Sequence, residues 1–196
     1  MFQQIIHRPV ARGNSILRNR RSFSLVSVHS SFPATLYRFQ LRRESQLYDK
    51  KLQKGDSEPE DAVNISQDGL IYPEVSDSIS NGALFMPNTF FMQELMRMFF
   101  DYYLDNLADS QPSAYPHLLC ITKGTLIPNT LVLLRERNIR SRFSLQPSFP
   151  MSLNDLNSAL TEFYSKCGTI TPAEKWFEEH EYHKSYDDEK EEWMHH

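Results

Sequence analysis

The stretch Phe32-Pro33-Ala34-Thr35-Leu36-Tyr37-Arg38-Phe39 predicts the first strand of the fold. Its aromatic and β-branched residues recur with a period of two, at Thr35, Tyr37 and Phe39, which is typical of a strand. Residues two apart on a strand share a face, so Arg38 lies on the face of Leu36. The backbone therefore holds a cation against a partly apolar surface.

Arg38 has two interpretations that the residues alone leave open. A guanidinium held by a strand presents a rigid fork of donors that suits a phosphate group. An arginine on an edge strand can instead lay its stem along apolar surface and keep its head in water. The first interpretation predicts a buried anion site, and the second predicts an exposed head.

The composition limits the class of protein. A chain of 196 residues that is 40 % hydrophobic is long enough for one domain with a core plus tails. Its net charge of -4 argues against nucleic acid as a specific partner. Cys120 and Cys167 lack the C-x-x-C spacing, and no histidine or cysteine cluster predicts a metal site. No apolar run approaches the ~20 residues that span a bilayer, so no stable membrane insertion is expected.

The charge is distributed unevenly, which suggests three regions. Residues 1–31 are rich in arginine and serine and free of acid, as in a mitochondrial presequence. The alternative is a basic leader without targeting value, in a cytoplasmic protein. The predicted domain covers residues 32–168, and residues 169–196 are predicted to form an acidic, mobile tail.

Periodicity and capping residues predict the remaining elements of an α+β domain. A helix is expected from the caps near Thr89 to about Leu104, and another from Ser152 to Gly168. A short helix is expected within residues 41–54. A tight turn with positive φ is expected at Asn81-Gly82. Further strands are predicted at residues 117–122, 130–134 and 142–147.

Five blocks in order resemble one family, the Tse-type ADP-ribosyltransferase toxins, which are named for a bacterial type VI secretion effector and occur also in fungal proteins. The match covers roughly residues 32–168. The blocks are Thr35-Leu36-Tyr37-Arg38, Asp68-Gly69-Leu70-Ile71-Tyr72-Pro73, Ser80-Asn81-Gly82-Ala83, Gly124-Thr125 with Ile127-Pro128, and Phe143-Ser144-Leu145-Gln146-Pro147 with Pro150-Met151.

The resemblance implies an ADP-ribosyltransferase-like fold with split antiparallel β-sheets, flanking helices and NAD, as substrate, in the cleft between the sheets. It implies that Arg38 binds the NAD phosphates, with Tyr37 beside it, and that Asn81 and Gly82 form the rim of the nicotinamide pocket. Two polar residues of the last block, Ser144 and Gln146, would face the cleft. The implied catalytic residues are Arg38, Gln146 and Arg142.

The chain departs from the family pattern at the catalytic acid. The resemblance implies such an acid, because transferases of this superfamily usually carry a glutamate at the start of the strand before the Gly-Thr turn, where it stabilises the oxocarbenium-like ribose as nicotinamide leaves. Leu118 stands at that position here, and Arg142 stands where the family often has histidine. Glu136 is the acid nearest the last strand, but no spacing directs it into the cleft.

Three hypotheses follow. The first is an NAD-dependent toxin-like enzyme that transfers ADP-ribose to an unknown target macromolecule or hydrolyses NAD, with a possible antitoxin partner. The second is a degenerate, non-catalytic member that binds a nucleotide or a partner protein through the same cleft. In the third, Arg38 only pairs with a core carboxylate such as Glu94 or Asp77.

Overall fold

Segments of alternating apolar residues form the main β-sheet, against which the helices pack. The computed structural model describes residues 27–52, 61–74, 81–107, 115–135 and 142–180. Within them the strands are β1 (Ser27–His29), β2 (Leu36–Gln40), β3 (Tyr48–Asp49), β4 (Ala62–Val63), β5 (Ala83–Pro87), β6 (His117–Ile121), β7 (Leu131–Arg135), β8 (Phe143–Pro147) and β9 (Gly168–Pro172). The helices are α1 (Phe90–Leu107), α2 (Leu153–Cys167) and α3 (Ala173–Glu179).

The main sheet is antiparallel and opens in its middle. Its seven strands run in the order β1-β7-β8-β5-β2-β6-β9, while β3 and β4 form a small parallel pair. β2 pairs with β6 along its whole length, from Leu36 to Gln40. It pairs with β5 only at Leu36 and Tyr37, so the two strands part beyond Tyr37. The predicted α+β class and split-sheet architecture are confirmed.

The two faces of the sheet bury separate cores. Opposite residues of an antiparallel pair share a face, so Leu36 and Arg38 lie on the face that packs against α2. That core contains Phe85, Leu119 and Leu160. The other face packs against α1 and α3, through a cluster that includes Phe39, Met86, Met96, Leu118 and Trp176.

The predicted helix starts are confirmed by their caps. Thr89 Oγ1 accepts a hydrogen bond from Met92 N at 3.1 Å, and α1 begins at the next residue and ends at Leu107. Ser152 Oγ accepts one from Asp155 N at 3.2 Å before α2. α2 ends at Cys167, and its C-cap is Gly168, where a Cβ would lie 2.5 Å from Leu119 Cδ1 and 2.7 Å from Tyr164 O. The backbone of Gly168 is extended, so close packing rather than the cap conformation requires glycine there.

Two predictions about local structure are wrong. Asn81-Gly82 is no positive-φ turn, because the described residues with positive φ are Gly69 and Gly124. A Cβ on Gly82 would lie only 2.3 Å from Leu145 O, so this glycine allows β5 to approach β8. The predicted short helix within residues 41–54 is replaced by β3 and a 3₁₀ turn at Lys50–Leu52.

The folded region extends past the predicted boundary at residue 168. β9 forms a sheet edge against β6, and α3 follows it with Trp176 only 2 % exposed. It also begins before the predicted boundary at residue 32, because β1, at Ser27–His29 of the predicted leader, pairs with β7. Residues 181–196 and residues 1–26 lie outside the described residues, so the mobile tail and the presequence stay predictions. Among the helices that the structure describes, none is long and apolar enough to cross a membrane.

Candidate functional site

Arg38 lies where β2 and β5 part. Its Nη1 donates a hydrogen bond to the Leu84 carbonyl of β5 at 3.3 Å, across the opening. Its Nη2 donates to the carboxylate of Asp61 in an ion pair. Arg38 is only 3 % exposed, so the interpretation of a head in water is wrong. The opening in the sheet therefore contains a buried guanidinium that is paired with an anion.

The anion is supplied by a segment that crosses the opening. Residues 61–74, called here the bridging segment, begin with Asp61, whose side chain is 16 % exposed. Ala62 and Val63 follow as the buried strand β4. Ala62, Val63 and Ile71 thus anchor the bridging segment in the core, while residues 66–69 and 72–74 are exposed. Asp61 lies at the edge of the core, next to residues outside the described range.

Tyr164 of α2 borders the ion pair from within the core. The residue is 1 % exposed, and burial raises the pKa of its phenol. The charge of Arg38 opposes this rise, and the charge of Asp61 adds to it. The phenol is therefore neutral near pH 7, and Arg38 and Asp61 are the charged groups of this part of the core.

Asn81 ties the bridging segment to the start of β5. Its Oδ1 accepts a hydrogen bond from Asn64 N at 2.7 Å. Its Nδ2 donates to the carbonyls of Asn64 at 3.2 Å and Tyr72 at 2.9 Å. Asn81 is 2 % exposed, so its amide is fully used by backbone groups of the chain itself.

Gln146 holds the end of the same segment. Its Oε1 accepts a hydrogen bond from Glu74 N at 2.6 Å, and its Nε2 donates to Glu74 O at 2.7 Å. The Nε2 also donates to Ser144 Oγ at 3.0 Å. Gln146 and Ser144 are both completely buried. The residue that the resemblance assigns to catalysis therefore clamps the backbone of the bridging segment.

The predicted site residues do not form a single cluster. Arg38, Asn81 and Gln146 all contact the bridging segment. Ser144 pairs with Leu84 and so lies on the face opposite Arg38, and Gln146, two residues further along β8, shares that face. Tyr37 lies on that opposite face too, with its ring 5.2 Å from the ring of Trp176.

Arg142 precedes β8, which is separated from β2 by β5, and the position of the family acid lies in β6 on the face opposite Arg38. Arg142 is four residues from Gln146, which is about 13 Å along an extended strand. Leu118 is fully buried in the core beneath α1, opposite Phe39. Glu136 lies outside the described residues.

Asp61 is the residue that the sequence analysis missed. It lies at the end of a stretch, residues 55–61, whose composition predicts only a surface loop. The parallel pairing of Tyr48 with Ala62 places it beside Arg38. Of the two carboxylates proposed for this role, Glu94 is exposed on α1 and Asp77 is outside the described residues. Asp61, which pairs with Arg38, therefore belongs to neither β2 nor β5, the two strands that border the opening.

Comparison with known proteins agrees with the fold. A family model described as Tse2 ADP-ribosyltransferase toxin matches residues 34–176, which is well over half of the chain. The matched range runs from just before β2 to Trp176 in α3 and includes both strands of the opening. No curated protein matches the chain significantly.

Proposed function

The chain belongs to the Tse2 ADP-ribosyltransferase toxin family, and on that premise we propose that it binds NAD in the opening between β2 and β5, with the NAD phosphates on Arg38. In this proposal the protein either transfers ADP-ribose to a macromolecular target or hydrolyses NAD to ADP-ribose and nicotinamide. A cognate antitoxin protein would be its natural partner.

The observation that carries the proposal is the buried guanidinium in the opening of the sheet. A buried cation requires an anion close by, because desolvation is costly without one. Asp61 supplies that anion in the absence of ligand. A phosphate offers the same negative oxygens to the same fork of donors. NAD would therefore bind by replacing the Asp61 carboxylate at Arg38, while Asn81 and Gln146 keep the rest of the bridging segment in position.

A non-catalytic binding role is the second candidate, and one observation favours it. When nicotinamide leaves, positive charge develops on the ribose, and a carboxylate at the β6 position would stabilise it. Leu118 occupies that position and is buried among apolar side chains. Loss of one charge-stabilising group typically costs about a hundredfold or more in rate. A chain of this kind would bind NAD better than it turns NAD over.

A calorimetric titration of the full chain with NAD, followed by measurement of released nicotinamide, tests both candidates. Binding with release supports the enzyme. Binding without release supports the non-catalytic member. If no heat of binding is detected at millimolar NAD, both candidates are wrong, and Arg38 serves the fold alone.

We expect Asp61→Asn to bind NAD more tightly than the natural chain. The amide has the size of the carboxylate but no charge, so the phosphate no longer competes with an anion for Arg38. We expect the NAD dissociation constant of the variant to be at least about fivefold lower than that of the natural chain, which is the low end of typical coupling between two binding events. Calorimetry with NAD measures it. Glu162→Gln, which removes one exposed charge on α2, is the control and should leave the affinity unchanged. Equal affinities of the two variants would show that Asp61 does not compete with NAD.

A further inference from the structure

A cavity of about 560 Å³ lies at the end of the sheet where β2 ends and β6 begins. Its walls are formed by the turn of residues 41–44 and by the end of β9. Tyr115, which precedes β6, and His117, the first residue of β6, complete them. Pockets of roughly 300–1,000 Å³ are the usual size of small-molecule sites. Gln40, the residue of β2 that precedes Leu41 of the cavity wall, is two residues from Arg38, about 7 Å along the strand.

The cavity wall carries two adjacent cations. Arg42 and Arg43 are both exposed and both line the cavity. Across the described ranges, neither guanidinium takes part in an ion pair or a side-chain hydrogen bond. Glu44 is the acid in the same wall. Two guanidinium groups against one carboxylate leave a net positive wall, which suits a phosphorylated ligand.

One residue of the cavity wall, His117, is polar and buried. His117 is 7 % exposed, and Gln40, to which it is hydrogen-bonded, is 4 % exposed. With its hydrogen on Nδ1, His117 donates to the Tyr115 carbonyl at 3.0 Å, and its Nε2 accepts from Gln40 Nε2 at 3.3 Å. Gln40 Nε2 also donates to the Arg43 carbonyl at 3.4 Å. These hydrogen bonds fix His117 in the cavity wall.

The remaining wall is apolar and aromatic. Ile170 is half-buried, and the ring of Tyr115 is 48 % exposed. Tyr115 OH donates a hydrogen bond to Glu174 Oε2 at 3.1 Å, which orients the ring. A ring held in this way is a platform on which a nucleobase stacks.

We propose that this cavity binds a nucleoside phosphate, with the phosphate on Arg42 and Arg43 and the base against Tyr115 and Ile170. Two sources supply this chemistry. One is the ADP half of an NAD molecule that also contacts Arg38, and this source rests on the proposed function. The other is a separate nucleotide, which does not require NAD to bind at all.

Titration of the full chain with ADP tests the site. Replacing Arg42 and Arg43 together by alanine should raise the ADP dissociation constant at least about tenfold, because both phosphate contacts are charge-assisted. The matched control replaces Lys50 and Lys51 by alanine, which removes two adjacent exposed cations from the 3₁₀ turn. The control should bind ADP as the natural chain does.

The outcomes separate this site from the proposed function. NAD that displaces ADP identifies the ADP half of NAD as the ligand. If NAD does not affect ADP binding, or if the chain binds ADP but no NAD, the ligand is a separate nucleotide. The site is then supported even though the proposed function is not. The inference is overturned if millimolar ADP does not bind, or if the arginine and lysine variants bind ADP equally well.

Discussion

Arg38→Met should lower the free energy of unfolding by about 3 kcal/mol and abolish NAD binding. The substitution keeps an unbranched side chain in the opening but leaves the Asp61 carboxylate without its counter-charge. Removing one partner of a buried ion pair typically costs about 3–5 kcal/mol. The low end applies because Asp61 is 16 % exposed and water reaches it. Urea unfolding measures the loss, and calorimetry with NAD measures the binding.

A second variant separates the two effects. Combining Arg38→Met with Asp61→Leu replaces the whole pair by apolar groups, which is often neutral or stabilising. The double variant should therefore regain stability close to that of the natural chain, yet still bind no NAD. If this folded variant binds NAD with the affinity of the natural chain, Arg38 does not take part in NAD binding. A single variant as stable as the natural chain would show that the ion pair contributes nothing to the fold.

Gln146→Leu should cost on the order of 3 kcal/mol of stability, because leucine is apolar and makes none of the three hydrogen bonds of the amide. The N–H of Glu74, an exposed residue, loses this partner, and its carbonyl keeps the bond from Asn81 N at 3.2 Å. Each hydrogen bond typically contributes about 1 kcal/mol, and the buried Ser144 hydroxyl also loses its donor. Thermal or urea unfolding of the variant measures the effect.

Ser144→Ala is the matched control for Gln146. It removes one of the three hydrogen bonds of the amide and leaves the two to Glu74 intact, so about 1 kcal/mol should be lost. If Gln146→Leu were as stable as Ser144→Ala while nicotinamide release was lost, Gln146 would act on the substrate. The clamp of the bridging segment would then be secondary.

The elements that could be predicted are those whose signal is local. The first strand, the caps at Thr89 and Ser152 and the stop at Gly168 depend on residues within a few positions of one another. The turn predicted at Asn81-Gly82 failed because the role of Gly82 depends on Leu145 of a distant strand. No local pattern distinguishes a glycine needed for positive φ from one needed for close strand approach.

For the candidate site, too, the sequence could identify residues but not which of them lie together. The resemblance assigned Asn81 and Gln146 to the site, and both contact the bridging segment. It also assigned Tyr37 and Ser144 to the cleft. The alternation of side chains along β2 and β8 places Tyr37, Ser144 and Gln146 on the face opposite Arg38, so these roles stay predictions. Residues of one motif share a site only if the register of their strands agrees.

The amino-acid sequence by itself determined that a strand carries Arg38 on the face of Leu36, because the period of side chains along one strand requires no other segment. Which anion Arg38 meets was decided only by the tertiary structure. Asp61 follows Arg38 by 23 positions, and the pairing of β3 with β4 brings it to the opening. A buried charge selects its partner by proximity in space, because the Coulomb energy depends on distance and desolvation rather than on sequence separation.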